Sequence, residues 1–441
     1  MKIRKLFMMS ILLLFITTYS NLEFRTALTS DMIANPVVQE DPIIVIDDDS
    51  DFSIYPGYGN ETHPYIIEGL TIIAGDSEIG VNITGTTKHF VLRNNDIKSD
   101  MGALGLVGIY LYNVTSNTAT IENNYITGFA IVIYAEMTTG LTIENNALKR
   151  PSGSKLGVTG IYLVQCPFAY IRNNALYDGN VPVFKEPYSS EPTLNAIEGG
   201  KWFGVYMSYC SDSEFIGNSI DLEGFHIIAL AGLYISDSDR ILIETNDIRN
   251  VRMEETQYEA FEHGGISLEG VNNVTIFNNT VEYTEKRSLQ IAGCTNLLIS
   301  NNTFGYVETT GISIDNSINS IVIYNTIQHC PSYAIDIDED SSNHTIHHNH
   351  FIDNIPSGPS QASDYGINNV WYDTVTEEGN WWIGDWYGGP YVITGTAGSS
   401  DPYPLGEPLT IPEFSTKIIA LILFMSLSIA IVPIFKKRGI S

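Results

Sequence analysis

Three aspartates in the second half of the chain are the residues best suited to acid–base chemistry. Asp315 ends a short apolar segment, and Asp338 ends a similar one 23 residues later, with Asp336 two residues before it. If the two segments are neighbouring strands, Asp315 and Asp338 lie side by side, where like charges are unfavourable. Two carboxylates about 5 Å apart can serve as acid and nucleophile in glycoside hydrolysis, and they can equally bind Ca²⁺. The alternative is a solvated acidic face without a ligand.

A histidine cluster follows directly, consisting of His344, His347, His348 and His350. Imidazole is a common ligand of Cu²⁺ and Zn²⁺, so the pattern indicates a metal site made by His347, His348 and His350. The competing interpretation is a polar corner, because the repeat places a turn at Asn349 and the imidazoles on either side of it then diverge.

Tyrosines recur in strands that read G-I-x-I or close to it, where the residue after the first Ile points outward. The pattern predicts an outward column of Tyr110, Val132, Tyr162, Tyr206, Tyr234, Ser267, Gln290, Ser313 and Asp336. A second column, two residues further along each strand, is predicted to hold Tyr112, Tyr134, Val164, Ser208, Ser236, Glu269, Ala292, Asp315 and Asp338. This face therefore changes from aromatic to acidic along the chain.

The tyrosine rings indicate that this face binds sugars or another extended polymer, since such ligands pack on flat amphipathic surfaces. The candidate ligand-binding residues are Tyr110, Tyr162, Tyr206, Tyr234 and Glu269. The competing explanation is structural, because Tyr favours exposed strand positions and cross-strand aromatic pairs.

A repeating framework must position all of these side chains, and asparagines reveal its period. They are Asn95, Asn124, Asn146, Asn174, Asn218, Asn246, Asn279, Asn302, Asn325 and Asn349. Their intervals have a base period near 23 residues with insertions, which is typical of a solenoid. The segments between them alternate with period two and so predict strands. Three or so short strands per period must pair with the next turn about 4.8 Å away. We therefore predict an all-β chain, a single parallel β-helix of about ten or more coils, with the asparagines hydrogen-bonded in a column.

Two smaller motifs are a run of aspartates near the start and a pair of cysteines. Asp47, Asp49 and Asp51 begin like a calcium loop, but Phe52 and Tyr58 stand where an EF-hand needs Gly and Glu. We therefore expect a turn that caps the entrance of the β-helix. Cys166 and Cys210 fall in one column a coil apart, a spacing compatible with either a disulfide or a pair of buried thiols.

The repeats resemble those of the NosD-like family, within the pectin-lyase-like superfamily of right-handed parallel β-helices. The lead-in GYGNETHPYIIEGL at 57–70 resembles that of archaeal members, and Gly379-Asn380-Trp381-Trp382 with Asp401-Pro402-Tyr403-Pro404-Leu405 resembles their C-terminal close. Because the NosD-like family is associated with maturing a copper centre, the resemblance implies a copper-handling role for the histidine cluster. The wider superfamily includes polysaccharide hydrolases and lyases.

Both ends of the chain carry membrane signals. Basic residues precede an apolar run near the start, as in a secretory signal, and 18 apolar residues before a basic end are long enough to span a bilayer. Pro412-Glu413-Phe414 resembles a PEF-type archaeal sorting signal, which implies a sortase-like processing enzyme. The predicted organisation is a signal at 1–20, a leader at 21–42, the β-helix at 43–370, a capping segment at 371–407, a linker at 408–417, a transmembrane helix at 418–435 and a cytoplasmic tail at 436–441.

The bulk composition excludes one class of partner and leaves several functions open. A formal net charge of −29 argues against nucleic acid, which requires a basic surface. Our leading hypothesis is a membrane-anchored cell-surface protein that binds an extracellular polysaccharide or surface glycan along the tyrosine-to-acid face. The alternatives are a polysaccharide hydrolase or lyase using Asp315, Asp336 and Asp338, a structural or adhesion protein of the envelope, and a copper-handling protein.

Overall fold

The chain coils into a stack of short parallel strands. The computed structural model describes residues 40–100, 105–150, 159–178, 203–222, 231–251, 264–354 and 360–408. These residues form 37 strands and one 3₁₀-helix, Asp49–Ile54. Strands three apart in the sequence are hydrogen-bonded neighbours in each of three long parallel sheets. Because each turn of the chain gives one strand to each sheet, the predicted parallel β-helix is confirmed, with twelve strands in its longest sheets.

The first sheet carries the tyrosine and aspartate columns. Its strands are β1 (Ile44–Ile46), β4 (Ile79–Thr84), β7 (Gly105–Tyr112), β10 (Phe129–Glu136), β13 (Thr159–Val164), β16 (Phe203–Ser208), β19 (Ala231–Ser236), β22 (Ile266–Glu269), β25 (Leu289–Ala292), β28 (Ile312–Asp315), β31 (Ile335–Ile337) and β34 (Ala362–Asp364).

The second sheet follows it around each coil. Its strands are β2 (Tyr65–Glu68), β5 (Phe90–Arg93), β8 (Ala119–Glu122), β11 (Thr142–Glu144), β14 (Tyr170–Arg172), β17 (Glu214–Ile216), β20 (Leu242–Glu244), β23 (Thr275–Phe277), β26 (Leu298–Ser300), β29 (Ile321–Ile323) and β32 (Thr345–His347).

The third sheet completes the coil. Its strands are β3 (Thr71–Ala74), β6 (Asp96–Ser99), β9 (Tyr125–Thr127), β12 (Ala147–Arg150), β15 (Ala175–Asp178), β18 (Ser219–Asp221), β21 (Asp247–Arg249), β24 (Thr280–Glu282), β27 (Thr303–Gly305), β30 (Thr326–Gln328), β33 (His350–Ile352) and β35 (Trp381–Ile383). A separate antiparallel pair is made by β36 (Tyr391–Val392) and β37 (Ser400–Asp401).

Alternate strand residues fill the interior with stacked aliphatic side chains. In the first sheet the strand register aligns Ile109, Ile133, Ile161, Val205, Leu233, Ile266, Leu289, Ile312 and Ile335, all with 0% exposure. Glycine precedes several of them because adjacent coils approach closely. A Cβ on Gly204 would lie 2.4 Å from the Gly232 carbonyl oxygen. The G-I-x-I pattern is thus a packing pattern.

The asparagine column is confirmed as a continuous hydrogen-bonded ladder. Each buried Asn Oδ1 accepts from the backbone N–H and the side-chain Nδ2 of the ladder Asn in the preceding coil; between Asn279 and Asn302 these bonds are 2.8 and 3.0 Å. Each Nδ2 also donates to carbonyl oxygens in the interior. The ladder extends one coil beyond the prediction, because Asn349 donates to Asn380 in the same way.

A short 3₁₀-helix covers the N-terminal end of the described β-helix, where the acidic run predicted a capping turn. Asp48 caps the 3₁₀-helix through a capping box with Asp51. The helix presents Phe52, which is fully buried, stacked at 5.1 Å on Tyr65 and packed at 5.5 Å against Phe90. The run of aspartates therefore builds a cap over the first coil.

Two buried aspartates organise the C-terminal end. Asp364 accepts four hydrogen bonds, from the Gly366 N–H (2.9 Å), Asn369 Nδ2 (2.8 Å), Trp371 Nε1 (3.0 Å) and Ser399 Oγ (2.7 Å). Asp401 accepts from the Asn380 N–H (2.7 Å), Trp382 Nε1 (2.9 Å) and the Tyr403 N–H (3.1 Å). Burial raises the pKa of Asp401, and these donors oppose the rise. Each carboxylate thus fixes one buried indole over the last coils.

The predicted signal (1–20) and transmembrane segment (418–435) lie outside the described residues. Within the described ranges, none of the helices is long and apolar enough to cross a bilayer. The four cysteines are buried free thiols, so Cys166 and Cys210 form the unbonded pair of the two predicted alternatives. Burial raises the pKa of the Cys166 thiol to about 12 and that of Cys294 to about 11, which makes them inert packing residues.

Candidate functional site

The outer face of the first sheet carries an unbroken column of tyrosines. Strand pairing aligns Tyr110, Tyr134, Tyr162, Tyr206 and Tyr234 on five consecutive coils. Their rings are stacked, with successive centroid separations of 5.2, 5.2, 4.5 and 5.3 Å. Cross-strand aromatic pairs of this kind stabilise a sheet. Beyond Tyr234 the column continues as Ser267, Gln290, Ser313 and Asp336, as predicted.

One coil of the predicted register is wrong. Val132 was expected beside Tyr110, but it is fully buried in the core, and Tyr134 pairs with Tyr110 instead. Glu136 accordingly replaces Tyr134 in the second column, opposite Tyr112. The cause is the longer connection after β7, because of which more residues separate Tyr110 from its ladder asparagine than in the other coils.

The stacked geometry determines what the tyrosines offer to a ligand. Because each ring is stacked on the next, the ring faces are occupied inside the column. The Tyr134 hydroxyl donates to Glu136 Oε2 at 2.9 Å, and the Tyr234 hydroxyl donates to Glu269. Burial raises the pKa of Tyr134 and Tyr234, and the neighbouring carboxylates raise it further. Both hydroxyls therefore stay protonated and donate hydrogen bonds at neutral pH. The face is therefore a hydrogen-bonding surface more than a set of flat platforms.

The tyrosines of this face differ in how far they are exposed to solvent. Tyr134 is 4% exposed whereas Tyr112, at the edge, is 38% exposed. Phe203 packs at 5.3 Å against Tyr206 and at 5.0 Å against Tyr234. The tyrosine column thus has a structural role as well as an exposed edge.

The acidic end brings the three predicted aspartates near one another. Asp336 pairs with Ser313, and Asp315 follows on the same strand as Ser313. Ser313 Oγ donates to Asp315 at 3.1 and 3.2 Å, and Ser363 donates to Asp336. Asp338 turns toward the corner, where it accepts from the Asn316 N–H and from Ser341 Oγ. Asp338 therefore stabilises a turn, while Asp315 and Asp336 remain on the face.

Asp315 is electrostatically distinct. Burial raises the pKa of its carboxyl group, and the charges of Asp338 and Asp336 act in the same direction. Arg287 and the hydroxyl of Ser313 oppose the rise. Arg287 was not singled out in the sequence, because it lies in the connection before β25 and belongs to no strand column. A carboxyl with a raised pKa next to two carboxylates is suited to donate a proton.

The three histidines of the predicted metal site are not brought together. His347 Nδ1 lies 2.8 Å from His348 Nδ1, and His348 Nε2 lies 3.0 Å from Glu378 Oε2. His350 lies past the Asn349 corner and instead contacts Trp381, at a ring separation of 5.2 Å. Burial and the neighbouring His348 lower the pKa of His347 to about 4. In the part of the chain that is described, no group of three or more His, Cys, Asp or Glu side chains is arranged to hold a metal ion. Among the described residues the geometry therefore gives no support to the Cu²⁺ and Ca²⁺ predictions.

His344 is a structural residue. Its Nδ1 accepts from the Ser320 N–H at 3.1 Å, and its Nε2 lies 3.0 Å from the Ser317 carbonyl oxygen. Burial lowers its pKa to about 4. A neutral imidazole with both nitrogens occupied is the polar corner that was the alternative to a metal ligand.

Comparisons with known proteins agree with this architecture. A family model described as "right handed beta helix region" matches residues 57–221, 184–304 and 223–382, which together cover well over half of the chain. No curated protein matches the sequence.

Several solved structures are similar in outline. They include the mannuronan C-5 epimerase AlgE6 A-module of Azotobacter vinelandii, at 13% identity, with 70% of this chain and 79% of that chain covered and a TM-score of 0.38. The Dettilon tailspike protein shares 11% identity over 78% of this chain and 60% of its own, with a TM-score of 0.40. The catalytic domain of a GH87 alpha-1,3-glucanase in complex with nigerose shares 9% identity over 80% of this chain and 70% of its own, with a TM-score of 0.40. By the family match and its own topology, this chain belongs to the right-handed β-helix family.

Proposed function

We propose that the outer face of the first sheet binds a neutral polysaccharide, and that the protein does so at the cell surface as a NosD-like archaeal protein, held by its C-terminal segment and processed by a sortase-like enzyme. The observation that supports binding most directly is the pair of columns on this face. One column presents tyrosines on five consecutive coils, and the other presents carboxylates at intervals, at Glu136, Glu269 and Asp315, with Val164, Ser208 and Ser236 between the first two.

The chemistry of the face favours a sugar polymer over other extended ligands. Hydroxyl donors next to carboxylate acceptors match the hydroxyl groups of a sugar, each of which donates and accepts. A net charge of −29 disfavours polyanions. Because coils repeat about every 4.8 Å, a polymer with a regular repeat meets similar groups along its length.

Conservative substitutions on this face test the proposal. We expect Tyr206→Phe combined with Glu269→Gln to weaken retention of the full-length chain on an immobilised polysaccharide panel by about thirtyfold, since the first change removes a hydroxyl and the second replaces a charged acceptor by a neutral amide, each at a cost of about 1 kcal/mol. Tyr125→Phe is the matched control, because Tyr125 is a half-buried outward tyrosine of the third sheet. Equal retention by the double variant and the control would rule out this face as the binding surface.

A second candidate, glycoside hydrolysis, is favoured by the raised pKa of Asp315. Asp315 would give its proton to the glycosidic oxygen as the C–O bond breaks while Asp336 attacks the anomeric carbon; a water molecule would then displace Asp336 from that carbon and return a proton to Asp315. We expect any release of reducing ends to be abolished by Asp315→Asn. Activity should also fall as pH rises through the elevated pKa of Asp315, because the acid form is then lost. Turnover that Asp315→Asn leaves intact would refute this assignment, and retention without turnover in the wild type would restrict the function to binding.

A further inference from the structure

A second aromatic row lies at the corner between the third sheet and the connection that leads to the first sheet. Tyr283, Tyr306 and His329 occupy it on three consecutive coils, each one residue after its third-sheet strand. Tyr283 and Tyr306 are stacked at 4.9 Å with an interplanar angle of 11°, and Tyr306 contacts His329 at 4.7 Å. The two tyrosines are 43% and 39% exposed, and His329 is also exposed. We call these three residues the corner shelf.

The backbone at the corner shelf gives no reason for tyrosines. All three residues have a left-handed conformation, with φ of 59°, 51° and 53°. Tyrosine is disfavoured there, whereas Asn, Asp and His adopt this conformation more often. The same column holds Asn250 (φ 56°) in the preceding described coil and Asp353 (φ 48°) in the following one. The fold is thus built equally well from small polar residues, and the exposed rings call for another explanation.

Hydrogen-bonding groups border the rings. Gln328 Nε2 donates to Glu282 Oε1 at 3.1 Å, and Arg249 Nη2 lies 3.9 Å from Glu282 Oε2. Glu282 and Gln328 immediately precede Tyr283 and His329 in the chain. Stacking occupies the faces between these rings, so the shelf offers their exposed edges and hydroxyls, with the amide of Gln328 and the guanidinium of Arg249 nearby, as apolar and polar contacts for a sugar.

The corner shelf is continuous with the acidic end of the first sheet. In each coil a short connection joins the two, and neighbouring connections are tied together: Thr309 Oγ1 donates to the Lys286 carbonyl oxygen, and the Ser332 N–H donates to that of Thr309 at 3.0 Å. Arg287 follows Tyr283 by four residues and influences the pKa of Asp315 on the first sheet. The coils of Tyr306 and His329 therefore present a shelf residue, a connection and then an aspartate, Asp315 and Asp336 respectively.

We propose that the corner shelf is a second carbohydrate-binding surface and that a single polysaccharide chain runs from it, along the connections, to the acidic end of the first sheet. This inference rests on the proposed binding function and adds the direction of the polymer in this region, which follows the course of the coils. Two linked surfaces raise the apparent affinity for a polymer that reaches both, but not for an oligosaccharide that occupies one.

Replacing the shelf tyrosines by the residue that the same column uses elsewhere tests this. The double variant Tyr283→Asn, Tyr306→Asn keeps a residue suited to the left-handed backbone, so we expect its urea midpoint to stay near that of the wild type. For the full-length protein we expect retention on whichever long polymer of the panel binds the wild type to fall at least tenfold, with a smaller effect on short oligosaccharides of the same sugar. Tyr209→Asn is the control, since Tyr209 has φ 55° and is 56% exposed but lies at another corner.

The possible results separate the two proposals. Polymer retention by the double variant equal to that of Tyr209→Asn would overturn the shelf while leaving the first-sheet face in place. A wild-type protein that retains no member of the panel would overturn the binding function and the shelf with it. A dimer in sedimentation velocity that the double variant abolishes would show that a second copy of the chain occupies the shelf, which also overturns the proposal.

Discussion

Asn279→Ala should be among the most damaging single substitutions in the chain, lowering the free energy of unfolding by about 4 kcal/mol, since several buried polar groups lose their partners at once. Asn279 Oδ1 accepts from both the N–H and the Nδ2 of Asn246, each at 2.9 Å. Its own Nδ2 donates to the carbonyl oxygens of Ile243 and Phe277 and to Asn302. Alanine supplies none of these bonds, and the site is too deeply buried, at 1% exposure, for water to replace them.

The adjacent asparagine supplies a matched control. Asn278 is exposed, has φ of 55°, and precedes Asn279 in the same Asn-Asn pair. Asn278→Gly keeps the left-handed conformation, so we expect a change below about 1 kcal/mol. Urea unfolding followed by circular dichroism measures both variants. Because solenoid coils depend on their neighbours, amide exchange should quicken most in the coils around Asn246 and Asn302. Similar urea midpoints for the two variants would contradict the prediction that the buried second asparagine of each pair stabilises the fold.

The same asparagines explain why the β-helix could be predicted from the sequence and why the tyrosine column was misplaced in one coil. Tyr134, Tyr162, Tyr206 and Tyr234 each precede a ladder asparagine by 12 residues, whereas Tyr110 precedes Asn124 by 14. Counting back 12 residues from Asn146 places Tyr134 in the column, but counting back 12 residues from Asn124 places Tyr112 there instead of Tyr110. The ladder fixes the inward positions by hydrogen bonds, but the connection between the first-sheet strand and the ladder asparagine varies in length, and this variation displaced the predicted column.

The candidate site was less predictable, since chemistry there depends on contacts between connections and strands. Nothing in the repeat pattern marks Arg287, whose charge acts on Asp315. Periodicity placed Asp338 beside Asp315 but not its turn toward Ser341 and Asn316. The corner shelf was also missed, because a tyrosine one residue past a strand looks like an ordinary turn residue until the stacking of coils aligns Tyr283 with Tyr306.

The second large effect concerns the C-terminal cap, where we expect Asp364→Asn to lower the free energy of unfolding by about 3 kcal/mol. Oδ1 accepts from two N–H donors and Oδ2 from the Trp371 indole and Ser399. Asparagine keeps the shape of the side chain but turns one oxygen into a donor. If the amide replaces Oδ2, it faces the Trp371 Nε1–H, which cannot accept; if it replaces Oδ1, it faces the Gly366 N–H, which cannot accept either.

The loss should also reach the coils below the cap. Asn369, held by Asp364, accepts from the His344 N–H at 2.9 Å, and His344 in turn accepts from the Ser320 N–H. We therefore expect a red shift in tryptophan emission as Trp371, now 1% exposed, meets water, together with faster amide exchange at Ser320. Asp340→Asn removes an exposed carboxylate in a turn of the same region and should change neither. If Asp364→Asn unfolds at the same urea concentration as Asp340→Asn with unshifted emission, the cap does not depend on this carboxylate, and the last coils must be held by packing around Trp382 and Tyr391 alone, which stack at 3.9 Å.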